Sequence, residues 1–120
     1  VKALWNALGV GSLSGTYAPD LQVCSSATGL TGSGASAACA NGLTLSNNAV
    51  AVIFSQGKNG GTTPTSVDEL ANSPSIATGV DRLFVSHTPT PAGSNEFDDL
   101  VIWVSPNQLF SQMLSAGRLP

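Results

Sequence analysis

The sequence predicts an α+β fold in which helices pack on an antiparallel β-sheet. Three segments rich in β-branched and aromatic residues, 49–55, 81–88 and 97–105, are bounded by turn residues, as strands are. Two other segments carry helix-start signals, and the second of them follows the last strand. The chain has 120 residues, enough to bury the core of one domain, so we assign residues 1–120 to a single unit.

The first predicted strand, residues 49–55, lies between Asn48 and Gly57. Side chains alternate along a strand, which places Val52 and Phe54 on one face and Ile53 on the other. Both faces are apolar, so we expect both to be covered in the fold.

The loop "PTPAGSNE" separates the second and third predicted strands. Its length suits a hairpin, so we expect residues 81–88 to pair antiparallel with residues 97–105. Alternation in the third strand places Ile102 and Trp103 on opposite faces.

A short helix is predicted within "TSVDELANSP". Ser66 and Glu69 have the spacing of a capping box, and Val67, Leu70 and Ala71 form a small apolar face that we expect to pack inward.

The C-terminal helix has the most complete set of signals. Ser105 and Gln108 have capping-box spacing, Pro106 occupies the first helical position, and Gly117 is placed to end the helix. Two i,i+4 pairs, Leu109 with Met113 and Phe110 with Leu114, form its apolar stripe. The predicted core therefore comprises Val52, Phe54, Phe84, Ile102, Trp103, Leu109, Phe110 and Met113.

Charged residues make up only 9% of the chain, against about 25% in an average soluble domain. Neutral polar residues replace them, as is common in bacterial secreted and fibre-forming proteins. The net charge is −3, and the four basic residues are scattered along the sequence. Phosphate binding needs clustered Lys and Arg, so we predict no nucleic-acid partner.

The two cysteines, Cys24 and Cys39, lie in a stretch rich in Ser, Gly and Ala. A metal site would need further ligands, so a disulfide is favoured over both a metal site and a pair of free thiols. This bond indicates an oxidising compartment such as the periplasm or the cell exterior. We interpret residues 12–42 as a disulfide-stapled variable loop region, with a short strand around "YAPDLQVC".

The first residues, "VKALWNALGVG", place Leu4, Trp5 and Leu8 at helical spacing before Gly9. We interpret residues 1–11 as the remnant of an N-terminal helix. No apolar run approaches the ~20 residues that span a bilayer.

No pattern of enzyme chemistry stands out, so we predict no enzyme and no cofactor or metal. Asp98 and Asp99 are neighbours on a predicted strand and should point to opposite faces, so we expect them to guard the strand entrance or to bond a neighbouring loop rather than to act in catalysis. The single histidine, His87, is expected at the sheet rim. Ser55 and Lys58 have Ser-x-x-Lys spacing, but in a turn rather than at a helix start.

Residues 48–120 resemble prepilin-like proteins of proteobacteria, namely type II secretion pseudopilins and type IV minor pilins. The motifs occur in order: "AVIFSQGKNGG", then "LFVSHT", "FDDLVIWVS", and a helix that ends in "GRLP". The resemblance implies a long N-terminal helix packed on an antiparallel sheet, a leader cleaved by a prepilin peptidase, and methylation of the new amino terminus. Major pseudopilins bind calcium in a C-terminal loop. We do not predict a calcium site in this chain, because its acidic pair leads directly into a strand.

The resemblance further implies a structural subunit of a periplasmic fibre, either a type II secretion pseudopilus or a type IV pilus, and we predict that it is a minor subunit. Its expected partners are other pilin-like subunits, the inner-membrane assembly platform, and the membrane itself through an N-terminal helix. It would lie on the periplasmic side of the inner membrane or in a surface fibre. Two alternatives stay open: a secreted binding or adhesion module that uses loops 12–42 and 88–96, and a small hydrolase centred on His87.

Overall fold

Two small β-sheets carry the fold in the computed structural model, which describes residues 21–32, 37–73 and 82–118. The strands are β1 (Leu21–Cys24), β2 (Thr44–Ala49), β3 (Ala51–Ser55), β4 (Leu83–Val85) and β5 (Leu100–Val104). The helices are α1 (Val67–Asn72) and α2 (Pro106–Ser115), and a 3₁₀ turn covers Gly57–Asn59. Two helices with small antiparallel and mixed sheets are compatible with the predicted α+β class. The expectation for residues 1–11 lies outside the described residues.

The first sheet has the order β2-β1-β4. Strand β1 confirms the strand predicted around "YAPDLQVC". It pairs antiparallel with β2 and parallel with β4, so the sheet is mixed rather than purely antiparallel. A parallel partner requires a long crossover connection, and here that crossover contains β2, β3 and α1.

The second sheet is the antiparallel pair β3–β5, in register from Ala51 opposite Val104 to Ser55 opposite Leu100. The predicted hairpin between the second and third strands is therefore wrong. Strand β4 cannot accept β5 as a neighbour at Val85, because the side chain of Asn72 already bonds both backbone groups of that residue.

Strand β2 was missed by the sequence analysis, because "TLSNNA" is mostly polar and lacks a strand-like apolar alternation. The predicted strand 49–55 is in fact divided at Val50. Ala49 ends β2 in the first sheet, and Ala51 begins β3 in the second.

The buried core lies around the first sheet and not where the sequence placed it. It contains Cys24, Leu83, Val85 and Phe97. Of the eight predicted core residues, none is fully buried. Phe54 and Ile102 are exposed, and six are half-buried: Val52, Phe84, Trp103, Leu109, Phe110 and Met113. For Ile102 the physical reason is that the β3–β5 sheet has only two strands and the face that carries Ile102 is open.

The signals for the C-terminal helix are confirmed. The Ser105 hydroxyl accepts a hydrogen bond from the Gln108 N–H, and the Gln108 side chain accepts one from the Ser105 N–H, which completes the capping box. Pro106 begins the helix, and Gly117 takes the left-handed conformation (φ 64°) that favours glycine after a helix end. Among the described residues, no helix is long and apolar enough to cross a membrane.

A disulfide joins Cys24 and Cys39, as predicted, with their Cα atoms 5.6 Å apart. Cys24 is fully buried beside Leu83, Val85 and Phe97, so the bond lies within the core rather than at a loop tip.

Thiol titration of the unreduced, denatured protein should therefore find no free thiols, and titration after reduction should find two. The Cys24→Ser/Cys39→Ser variant should lose roughly 3 kcal/mol of unfolding free energy, because the loop between the two sites is no longer closed in the unfolded chain. Two free thiols in unreduced protein would contradict the structure.

Candidate functional site

Helix α1 turns its polar side inward. Glu69 and Asn72 are 2% and 1% exposed, whereas Val67 and Leu70 are 58% and 53% exposed. The prediction that Val67, Leu70 and Ala71 form the inward face is therefore wrong, although Ala71 does pack against the core. Buried polar side chains are tolerated when their hydrogen bonds are made, and each of these two finds several partners.

Asn72 binds the edge of β4 as a neighbouring strand would. Its amide nitrogen donates to the Val85 carbonyl at 2.9 Å, and its amide oxygen accepts from the Val85 N–H at 2.7 Å. The same amide nitrogen donates to Oδ2 of Asp99 at 2.9 Å. This one side chain thereby connects α1, β4 and the segment that leads into β5.

Glu69 connects α1 to two other segments. Its carboxylate accepts hydrogen bonds from the side-chain amide of Asn59, in the 3₁₀ turn, and from the backbone N–H of Asp98. Glu69 consequently does not complete the predicted capping box. Ser66 still caps the helix, but its hydroxyl accepts from the Asp68 N–H.

Asp98 holds the 3₁₀ turn close to the start of β5. Its Oδ2 accepts from the Lys58 N–H at 3.2 Å, so Asp98 bonds a neighbouring loop as predicted, whereas Asp99 bonds Asn72 on helix α1. A Cβ on Gly57 would lie 2.0 Å from Oδ1 of Asp98, and Gly57 has φ +54°, so only glycine fits there.

Asp98 and Asp99 do not point to opposite sides as the sequence analysis expected, because β5 begins only at Leu100. One carboxylate oxygen from each of Glu69, Asp98 and Asp99 lies within 4.8 Å of the others. These three residues could hold a hard cation, which takes oxygen ligands. In this structure N–H groups bond each carboxylate, while Oδ1 of Asp98 is buried without a hydrogen-bond partner among the described residues.

We call one set of hydrogen-bonded residues the polar cluster: Asn59, Glu69, Asn72, Asp98 and Asp99. Lys58 lies at the solvent side of this polar cluster. Its ammonium is 2.6 Å from Oε1 of Glu96 and 3.9 Å from Oδ2 of Asp98. The hydrogen bond and charge of Glu96 raise the pKa of Lys58. The Lys58 side chain is 69% exposed, so we expect this ion pair to contribute little to stability.

His87 is held between a carboxylate and an aromatic ring. Its Nε2 is 3.2 Å from Oδ2 of Asp68, and its ring stacks on Phe97 with centroids 3.9 Å apart. Asp68 also accepts hydrogen bonds from the Ser26 hydroxyl and the Ala27 N–H. Ser26 and His87 both contact Asp68, whereas in a hydrolytic triad the serine hydroxyl is hydrogen-bonded to the histidine.

The β3–β5 sheet presents an open apolar surface, which we call the apolar sheet face. Register places six residues on it: Ala51, Ile53, Ser55, Leu100, Ile102 and Val104. Ile53, Leu100 and Ile102 are 63%, 67% and 55% exposed. None of the six is charged. A cavity of about 380 Å³ adjoins the sheet between Trp103 and one side of α2, lined also by Leu109 and Gln112.

The sequence does carry a signal for the inward polar face of α1. Ser66, Glu69 and Asn72 recur at three-residue spacing, so they share one side of a helix. This side of the helix was expected to face solvent because its residues are polar.

Asn72→Ala should lower the free energy of unfolding by about 3 kcal/mol, since it leaves buried backbone groups of Val85 without partners. Asn47→Ala provides the matched control, because Asn47 is exposed on β2, and its change should stay within about 0.5 kcal/mol. Urea denaturation of both variants measures the difference. Equal midpoints would show that Asn72 does not hold β4.

Burial raises the pKa of the Asp99 carboxyl above its ordinary value of 3.8, and the hydrogen bond from Asn72 offsets part of that rise. The folded protein then holds this proton more tightly than the unfolded chain. The Asp99 contribution to stability therefore falls as pH rises from the unfolded pKa to the folded pKa, and stays low above it.

Asp99→Asn removes this titration, so its unfolding free energy should increase relative to the original protein as pH rises from about 3 to 7. Urea midpoints across that range give the comparison. A difference that is independent of pH, or that runs the other way, would contradict the raised pKa.

Comparisons of the chain with protein-family models, with curated proteins and with solved structures find no match.

Proposed function

We propose that this chain is a structural subunit of a pilin-like periplasmic fibre, either a type II secretion pseudopilus or a type IV pilus, in which it is a minor subunit. The apolar sheet face is the observation that carries the proposal. Ile53, Leu100 and Ile102 are each more than half exposed, and no charged side chain lies among them. Large exposed apolar patches mark interaction sites, and a fibre subunit needs such a surface.

The partner that suits this surface is an apolar helix. The apolar sheet face has aliphatic side chains in cross-strand pairs, such as Ile53 opposite Ile102, and a helix with an apolar stripe buries them without unpaired polar groups. The chain enters β1 at Leu21, which pairs with Ala49, two residues before β3 begins. The start of β1 therefore lies near the point where the chain passes from β2 into β3.

The polar cluster under α1 serves this function by holding the body of the subunit in one shape. Glu69 and Asn72 connect α1 to the 3₁₀ turn, to β4 and to the entrance of β5. The apolar sheet face includes β5, so these bonds fix its position relative to the first sheet. In this proposal the residues position a docking surface and perform no catalysis, and no cofactor takes part.

The proposed partners are other pilin-like subunits and an inner-membrane assembly platform. The location is the periplasmic side of the inner membrane, with membrane attachment through an N-terminal helix before assembly. The Cys24–Cys39 disulfide supports a compartment outside the cytosol, because such bonds persist in oxidising surroundings.

A secreted or periplasmic binding module is the second candidate. The connection between β4 and β5 favours it, since residues 91–95 at its tip are all exposed and carry neutral side chains suited to contact. An ordinary signal peptide in the upstream coding region would support this candidate. A basic leader followed by an apolar helix of ~20 residues would support the fibre subunit.

Ile102→Asp in the full-length protein should reduce incorporation into fibres at least about tenfold, because a charge would be buried at the helix contact. Leu114→Asp is the matched control: Leu114 is 65% exposed but lies on α2, outside the apolar sheet face, and its variant should assemble. Sheared-fibre fractions are quantified by immunoblot, with urea denaturation to show that both variants fold.

Localisation of the full-length protein, with and without the prepilin peptidase of its host, completes the test. The proposal expects membrane retention in both strains and processing in only one. A protein that is freely soluble in the periplasm and indifferent to the peptidase would overturn the fibre subunit and favour the binding module.

A further inference from the structure

Two Asn-Gly pairs occur in the chain, Asn41–Gly42 and Asn59–Gly60. Asparagine is a thermolabile residue, and glycine as the following residue has no side chain to hinder attack by its backbone nitrogen. The same dipeptide therefore offers the same intrinsic chemistry twice, and any difference between the two sites comes from the structure around them.

The first pair lies in an open turn. Asn41 is exposed, and its side chain makes no hydrogen bond in the described part of the chain. Gly42 has φ +82°, and nothing lies within 4 Å of the position that a Cβ would take. The turn is closed by one hydrogen bond, from the Leu43 N–H to the Ala40 carbonyl. The disulfide at Cys39 and the hydrogen bond from the Ser25 N–H to the Leu43 carbonyl hold the ends of the turn, but no hydrogen bond among the described residues holds the Asn41 side chain away from the Gly42 nitrogen.

The second pair is held on several sides. The Asn59 amide nitrogen donates to Oε2 of buried Glu69 at 2.9 Å, and the Asn59 carbonyl accepts from both the N–H and the hydroxyl of Thr62. Gly60 is also enclosed, since a Cβ there would lie 2.8 Å from Cβ of Gln56. Asn59 cannot turn toward the Gly60 nitrogen without losing its bond to Glu69.

We propose that Asn41 is a site of spontaneous deamidation in the folded protein and that the polar cluster protects Asn59 from the same reaction. The Gly42 nitrogen forms a bond to Cγ of Asn41 and loses its proton. The Cγ–Nδ2 bond breaks, and the nitrogen leaves as ammonia. One water then opens the cyclic imide on either side, so that position 41 becomes aspartate or its β-linked isomer. No oxidant or reductant takes part.

The reaction would place a new negative charge in a region that otherwise lacks one. Asn41 lies between Cys39 of the disulfide and the start of β2 at Thr44, and no charged residue occurs from residue 21 to residue 57. The β-linked product would also lengthen the backbone of the turn that delivers β2 to the sheet. Chains of different age would then differ in charge at this edge of the molecule.

Peptide mapping by mass spectrometry tests the proposal on the whole folded chain, incubated in mildly alkaline buffer with its disulfide intact. Asn41 should convert at least about tenfold faster than Asn59, since Asn59 must first break a hydrogen bond to a carboxylate. Asn41→Gln should abolish the main conversion, and Asn59→Gln should leave it unchanged. Equal rates at the two sites, or no conversion at Asn41, would overturn the proposal.

The same incubation in denaturant, again without reduction, isolates the effect of the fold. Both sites should then convert at similar rates, because neither the turn nor the polar cluster remains. If Asn59 stays slow in the unfolded chain, local sequence rather than Glu69 protects it, and the structural explanation is wrong.

Discussion

The paired hydrogen bonds between the Asn72 amide and the Val85 backbone are the constraint on which the rest of this structure depends. They close the outer edge of β4 at its most buried residue, where an unpaired N–H and C=O would be costly. With that edge occupied by a side chain, β5 has to find another partner, and it pairs with β3. At this edge the two sheets are therefore not joined, and α1 lies against β4 through the Asn72 amide.

The same bonds decide which way helix α1 faces. A helix that turns Asn72 and Glu69 inward must turn Val67 and Leu70 outward, because these residues lie on its opposite side. The hydrophobic burial lost in this way has to be offset elsewhere. Part of the offset is the set of hydrogen bonds that Asn72 and Glu69 make, each worth about 1 kcal/mol. Another part is the disulfide within a core of few large side chains.

Local signals were predictable from the sequence, and long-range pairing was not. Ser105, Pro106 and Gly117 act through their own backbone neighbourhood, so their pattern was sufficient to place α2. The disulfide was predictable for a simpler reason, since the chain has two cysteines and they can form one bond. What covers the outer edge of β4, by contrast, depends on a contact between Asn72 and Val85, which are thirteen residues apart in the sequence. No hydrophobic periodicity predicts this contact. Burial was mispredicted for Ile102 because apolar character alone does not distinguish a core from a docking surface.

The distribution of charge is the physical feature that distinguishes a docking surface from a core in this protein. All five acidic residues of the described segments belong to one connected region around α1: Asp68, Glu69, Glu96, Asp98 and Asp99. Charges gathered there leave the apolar sheet face without the interspersed Lys and Glu that keep exposed strands from associating. An open two-stranded sheet with Ile53, Leu100 and Ile102 toward solvent is costly for an isolated domain. The cost is removed if another apolar surface covers those side chains, which is why we place the face at an interface and not at a free surface.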